Sequence, residues 1–221
     1  MAVEKSLAQI WSRTEFRCET VAAALALIAV VVLSAIALVD PGLADRATAE
    51  NGAVEWFQVL LDAAAAVLFG RHLARNASRA GRVSPLDVVI VAALIGLVIG
   101  EVDFDRLVFG TKVISTRFSV DARVALPWRV LATVVVVGAP AAIGIFALVR
   151  IRLFWREGWA AIAQPWGRVL AASVALAVVT ELFERQLGHV PGVPHYFLEE
   201  LFELVAGIGF LVSAVARRSG V

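Results

Sequence analysis

The chain has 221 residues, 60% of them hydrophobic, and a mean hydropathy of +0.84. Soluble domains hold only about 45–50% apolar residues, so the composition excludes an ordinary soluble globule. Twenty Lys and Arg against 19 Asp and Glu leave +1, which excludes bulk attraction to nucleic acid, and a single cysteine, Cys18, excludes an internal disulfide or a thiolate metal cluster. The expected class is an all-α integral membrane protein in one domain, residues 1–221. Its partners are the lipid bilayer and, in an assembly, other membrane proteins.

A helix that crosses the bilayer needs about 20 mostly apolar residues at a rise of about 1.5 Å each. Six segments meet that length. Residues 21–39 form the first, free of charge, and Asp40-Pro41-Gly42 is expected to stop it in a turn. Ala35-Ile36-Ala37 resembles a signal-peptidase site, but the long leader with Glu4, Glu15 and Glu19 marks an uncleaved helix. Residues 53–73 form the second. The third, 84–104, opens on Ser84-Pro-Leu-Asp87, a capping-box spacing with proline at the first helical position, so Asp87 reads as a cap. The fourth, 125–149, contains Pro140 between Gly138 and Gly144, which predicts a kink. The fifth and sixth, 168–187 and 195–215, flank Pro191-Gly-Val-Pro194, a tight turn bordered by His189 and His195. Trp11, Trp56, Trp128, Trp155, Trp159 and Trp166 fall near the helix ends, as an aromatic belt requires.

Basic residues set the orientation. Lys5, Arg13 and Arg17 precede the first helix, and Arg71, Arg75, Arg79 and Arg82 join the second to the third. Arg150, Arg152, Arg156 and Arg168 join the fourth to the fifth, and Arg217 and Arg218 follow the sixth. With six alternating helices all of these lie on one side, which the positive-inside rule makes the cytoplasm. Both termini are then cytoplasmic, in a multi-pass protein of the inner (plasma) membrane. The link after the third helix is the exception, with Arg106, Lys112, Arg117 and Arg123 beside Asp105 and Asp121. Its alternation from Ile114 to Val124 predicts a short extended segment or hairpin over the outer face, with an ordinary loop as the alternative.

The outer helix ends then carry Glu50 and Glu55; Glu101, Asp103 and Asp105; Glu181 and Glu184; and Glu199, Glu200 and Glu203. The charge-free run 169–180 is too short to cross the bilayer, which draws Glu181 and Glu184 into its outer third, and the run 204–216 does the same to the acids of the sixth helix. A carboxylate at a helix centre costs about 2.5–3.5 kcal/mol on insertion scales, less near the edge, so these acids should face the bundle interior. Asn51, Glu55, Gln58 and Asp62 recur at i, i+4, i+7 and i+11 as one stripe, and Tyr196, Glu200, Glu203 and Gly207 repeat the spacing. Ala92, Gly96 and Gly100 supply a small-residue face.

Crowded carboxylates repel, and arginines, protons or a metal ion can hold them together. Arg106, Lys112, Arg117, Arg123, Arg129 and Arg185 would make structural ion pairs, as in a noncatalytic membrane subunit or scaffold. A divalent metal ion would draw its ligands from Glu55, Glu101, Asp105, Glu181, Glu184, His189, His195, Glu200 and Glu203. Carboxylate with imidazole suits zinc, manganese or iron, and an all-oxygen set suits calcium or magnesium. Glu184 and Glu203 are then the candidate catalytic residues for metal-dependent hydrolysis of a lipid or envelope substrate. The stripe Asn51, Glu55, Gln58 and Asp62 also reads as the start of a proton path in a transporter, although it continues into Ala65, Ala66 and Phe69. No Ser or Cys beside a His forms a recognisable nucleophile, and there is no Gly-rich phosphate loop. The last hairpin, with its acidic helix end, Pro-Gly turn and acidic helix start before Gly207, resembles the small bacterial VanZ-like membrane proteins. It lacks the arginine and asparagine of that pattern, and no site residue is carried over.

Overall fold

The computed structural model describes residues 18–49, 52–102, 125–186 and 196–219. Among them the regular structure is all helical. The order is α1 (Cys18–Val39), α2 (Pro41–Ala47), α3 (Ala53–Ala80), α4 (Pro85–Glu101), α5 (Leu126–Thr133), a π-helical turn (Val134–Gly138), α6 (Ala139–Val149), α7 (Ile151–Ile162), α8 (Pro165–Gln186) and α9 (Phe197–Ser219). The predicted extended segment in the link 105–124, the residues Glu50, Asn51 and Asp103, and the turn holding His189 and His195 lie outside the described residues.

Among the described residues, two helices are long and apolar enough to cross a membrane: α1, and α3 over Ala53–Arg79. A third span results if α7 and α8 to Thr180, bent by 107° at a short break, count as one. The other predicted spans fall short by length or charge: α4 has 17 residues, and α9 carries Glu199, Glu200 and Glu203 at one end and Arg217 at the other. Residue distribution points to a nonpolar surrounding. Leu27, Ile28 and Val31 of α1 are exposed, Leu27 at 63%, while Asp62 and Asp87 are buried. In water the open apolar face of α1 would forgo stabilisation on the order of 10 kcal/mol, at about 1.5–3 kcal/mol per large side chain.

Three local outcomes differ from the sequence reading. Asp40-Pro41 does not end in a simple turn: Asp40 Oδ1 accepts from Leu43 N at 2.9 Å, and with proline in the first turn the pair starts α2. The second predicted helix runs on to Ala80 because nothing in its basic segment breaks it before Gly81. Its His72 lies 2.7 Å from the Asn76 side chain along this segment. Residues 151–162, expected as a link, form an amphipathic helix. Pro140 falls in the first turn of α6, directly after the π-helical turn that interrupts the helix of residues 126–149.

The described residues form two compact units, one from residues up to 61 and from 160 onward, the other from 62–159. In the first, α8 and α9 pack along their lengths as an antiparallel hairpin, with Arg217 4.3 Å over the Trp166 ring at one level and Gly209 against Ser173 at another. Trp166 is therefore buried under a cation rather than exposed in a belt. Helix α1 packs on α9 and α8. Cys18 Sγ contacts Val212 O at 4.0 Å, Arg168 Nε meets Glu19 Oε1 at 2.5 Å, and Leu33 joins Leu201 and Leu204. These pairings run α1 alongside α8 and against α9. Consequently the starts of α1 and α8 and the end of α9 share one pole, with Arg168 and Arg217. The starts of α3 and α9 share the other, joined by a core of Leu33, Val54, Phe197, Leu201 and Leu204.

In the second unit α4 packs on α6. Ser84 caps α4, its Oγ accepting from Asp87 N at 3.1 Å as the sequence pattern predicts. The cap has a second layer: Glu157 Oε2 of α7 accepts from Ser84 Oγ at 2.8 Å and from Leu86 N at 3.3 Å. A carboxylate at a helix N-terminus is stabilised by the free N–H groups and the helix dipole.

The α8–α9 crossing gives a stability prediction. A Cβ on Gly209 would lie 1.9 Å from Ser173 Oγ. Gly209→Ala should lower stability by about 1–3 kcal/mol in reversible unfolding from mixed micelles, with partial recovery in Gly209→Ala/Ser173→Ala. Gly96, whose added Cβ meets nothing within 4 Å, should accept alanine without loss.

Candidate functional site

The acid-bearing pole of the first unit is built from the first turns of α3 and α9. On α3, Val54, Glu55, Gln58 and Val59 are buried while Trp56, Phe57 and Leu60 are exposed, so one helical face turns inward. Glu55 is 8% exposed and Gln58 4%. On α9 the inward residues are Phe197, Glu200, Leu201 and Leu204, with Glu200 6% exposed. Val54 and partly buried Leu61 share one apolar cluster with Phe197, Leu201 and Leu204, which sets the two acid-bearing helix starts against a common core.

Burying a carboxylate without partners is prohibitive, and these are not isolated. Glu55, Asp62, Glu101, Glu199, Glu200 and Glu203 each take part in a polar or electrostatic interaction. Gln58 lies among them, with its Oε1 buried and no hydrogen-bond donor to it among the described residues. A buried amide oxygen left without a donor costs about 1–3 kcal/mol, which a proton donor or a cation would offset. The hydroxyls of Ser173 and Thr180, expected as polar groups along α8, donate to their own helix, to Val169 O at 2.9 Å and Leu176 O at 3.0 Å. Such back-bonding lets a hydroxyl sit in an apolar bundle.

The predicted site residues separate as follows. Glu55, Gln58 and Glu200 are buried and Glu203 half-buried, all in the first unit. Asp62, 1% exposed, and half-buried Glu101 belong to the second. Glu181 and Glu184 lie on the last turns of α8, which runs antiparallel to α9 towards the acid-bearing pole, and their side chains are outside the described residues. Asn51, Asp105, His189 and His195 are also outside them. Among the described residues, no three His, Cys, Asp or Glu side chains gather as a metal site. The expected α9 stripe is met in part, at buried Glu200 and Gly207. Tyr196 is exposed and Glu203 half-buried, and the inward line runs through Phe197, Glu200, Leu201 and Leu204 because Phe197 and Leu201 take the core.

Burial makes the acids unequal. Glu200→Leu, which orphans the group that Glu200 engages, should cost about 1–3 kcal/mol in micellar unfolding. Trp56→Leu, at an exposed apolar position, should change stability by less than about 0.5 kcal/mol.

No family model, curated protein or solved structure matches the chain.

Proposed function

We propose that the chain is a six-helix, multi-pass inner-membrane protein, one transmembrane domain with both termini cytoplasmic, whose outward acidic pocket binds a divalent cation. The supporting observation is the burial of Glu55, Gln58 and Glu200 at the pole opposite Arg168 and Arg217, with the Gln58 amide oxygen lacking a donor among the described residues. Carboxylate and amide oxygens form a hard donor set suited to calcium or magnesium. Glu181, Glu184 and Glu203 would extend that set, and His189 or His195 would shift it towards zinc, manganese or iron. A bound cation would supply polarised water, and Glu184 or Glu203 would hold its proton during hydrolysis of a lipid or envelope substrate.

In this arrangement α1, α3, α4, α5 with α6, α8 and α9 are the six spans. The short or charged ones are tolerated because their polar groups face protein and not lipid. A second reading, a noncatalytic subunit or scaffold, draws on the interactions that Glu55, Glu200 and Glu203 already make. Transport is less well supported, since Ala65, Ala66 and Phe69 below Asp62 are buried and apolar.

Metal analysis and cation titration of purified protein separate the first two readings. The cation pocket predicts bound or titratable metal, weakened at least about tenfold in Glu184→Gln and Glu203→Gln while both variants fold. Absence of metal binding, with folding lost in both variants, identifies the scaffold. The topology is checked separately in a Cys18→Ala background: a cysteine placed in the 188–194 turn should react with impermeant reagent from outside the cell. Labelling only from the cytoplasm contradicts the orientation.

A further inference from the structure

In the second unit, Gly81, Arg82, Val83, Val88, Phe146 and Arg150 line a cavity of about 420 Å³. That is within the range of about 300–1,000 Å³ usual for ligand pockets. Its lining joins two kinds of surface. Helix α3 ends at Gly81, whose φ of +63° suits glycine, and Gly81 N donates to Ala77 O at 3.0 Å. The turn leaves Arg82 and Val83 exposed ahead of α4. Across the cavity, the Arg150 guanidinium lies 5.0 Å from the Phe146 ring centroid, and its Nη1 donates to Val83 O at 3.5 Å. Half-buried Val88 and Phe146 supply the apolar wall. Among the described residues no carboxylate lines the cavity, and the acid of the adjoining helix, Glu157, is held at the start of α4.

The helix that follows Arg150 marks the level of the cavity in a membrane. Ile151, Trp155, Trp159 and Ile162 recur at i, i+4, i+8 and i+11 on α7 and are all exposed, Trp155 at 62% and Trp159 at 57%. The two indoles meet edge to face at 5.6 Å between centroids, and Arg152 and Arg156 are exposed beside them. Tryptophan with arginine on a short amphipathic helix fits the boundary between acyl chains and headgroups. At that level a ligand with a negative head and an apolar tail comes from the bilayer itself.

We propose that this cavity binds an anionic phospholipid, with its phosphate on Arg82 and Arg150 and the top of an acyl chain along Val88 and Phe146. Guanidinium groups hold phosphate by charge-assisted hydrogen bonds, and the apolar wall distinguishes a lipid from a soluble phosphate. The test is native mass spectrometry of purified protein equilibrated in mixed micelles with equal phosphatidylglycerol and phosphatidylcholine. The expected result is a preference of about tenfold or more for retained phosphatidylglycerol. That preference should be lost in Arg82→Gln/Arg150→Gln and kept in Arg75→Gln, an exposed arginine of the same basic segment that does not line the cavity. Val88→Trp, which fills the cavity with both arginines in place, should also abolish it, and decides the matter if the double variant does not fold. Equal retention of the two lipids overturns the proposal, as does a preference that survives Arg82→Gln/Arg150→Gln or Val88→Trp. Equal loss in Arg75→Gln also overturns it, by showing diffuse surface charge. Displacement of the lipid by millimolar glycerol 3-phosphate would assign the cavity to a soluble phosphate instead.

Discussion

A nonpolar surrounding is the constraint from which the other features follow. Helix α1 shows Leu27, Ile28 and Val31 to the outside, while Glu55, Asp62, Asp87 and Glu200 are enclosed. In water that distribution is unfavourable twice, once for the exposed apolar surface and once for the buried carboxylates. In a bilayer the first cost disappears, and the second becomes the reason the acids must find partners inside the protein. Hydroxyl groups obey the same rule, as Ser173 and Thr180 show by donating to carbonyls of their own helix.

Without hydrophobic drive between helices in lipid, close contact depends on small residues and polar pairs. Gly209 against Ser173 and Arg217 over Trp166 set the alignment of α8 with α9, and Glu19 with Arg168 sets that of α1 with α8. This alignment divides the first unit chemically: arginines at one pole, and the buried acids of α3 and α9 at the other. In the second unit the capped start of α4 brings Arg82, Arg150 and Glu157 to one end, and Glu101 closes the opposite end of the same helix.

Hydrophobic runs made the main helices legible, because a run of apolar residues needs no knowledge of its neighbours. Ser84-Pro-Leu-Asp87 located the start of α4 for a local reason, since a cap is made by residues three apart. Two shorter helices were not legible. Asp40-Pro41 has the chemistry of a helix start, but a proline after an apolar run reads first as a stop. In α7 the arginines obscured the Ile151, Trp155, Trp159 and Ile162 stripe, whose apolar face meets no protein core. The inward stripe of α3 was readable at Glu55, Gln58 and Asp62. That of α9 was readable at Glu200 and Gly207 only, because Phe197 and Leu201 compete for the same core and sequence spacing cannot decide which residue wins. Glu157 under the α4 cap and Gly209 at the helix crossing depend on residues distant in sequence, and only the folded chain pairs them.

The account turns on whether the buried oxygens of α3 and α9 respond to a cation. Infrared difference spectroscopy of the reconstituted protein, recorded on adding calcium, magnesium or zinc, reads the carboxyl groups directly. A cation pocket predicts a cation-dependent change in the carboxylate bands, saturable and lost in Glu55→Gln/Glu200→Gln. A carboxyl spectrum indifferent to every cation, in protein that remains folded, would contradict it.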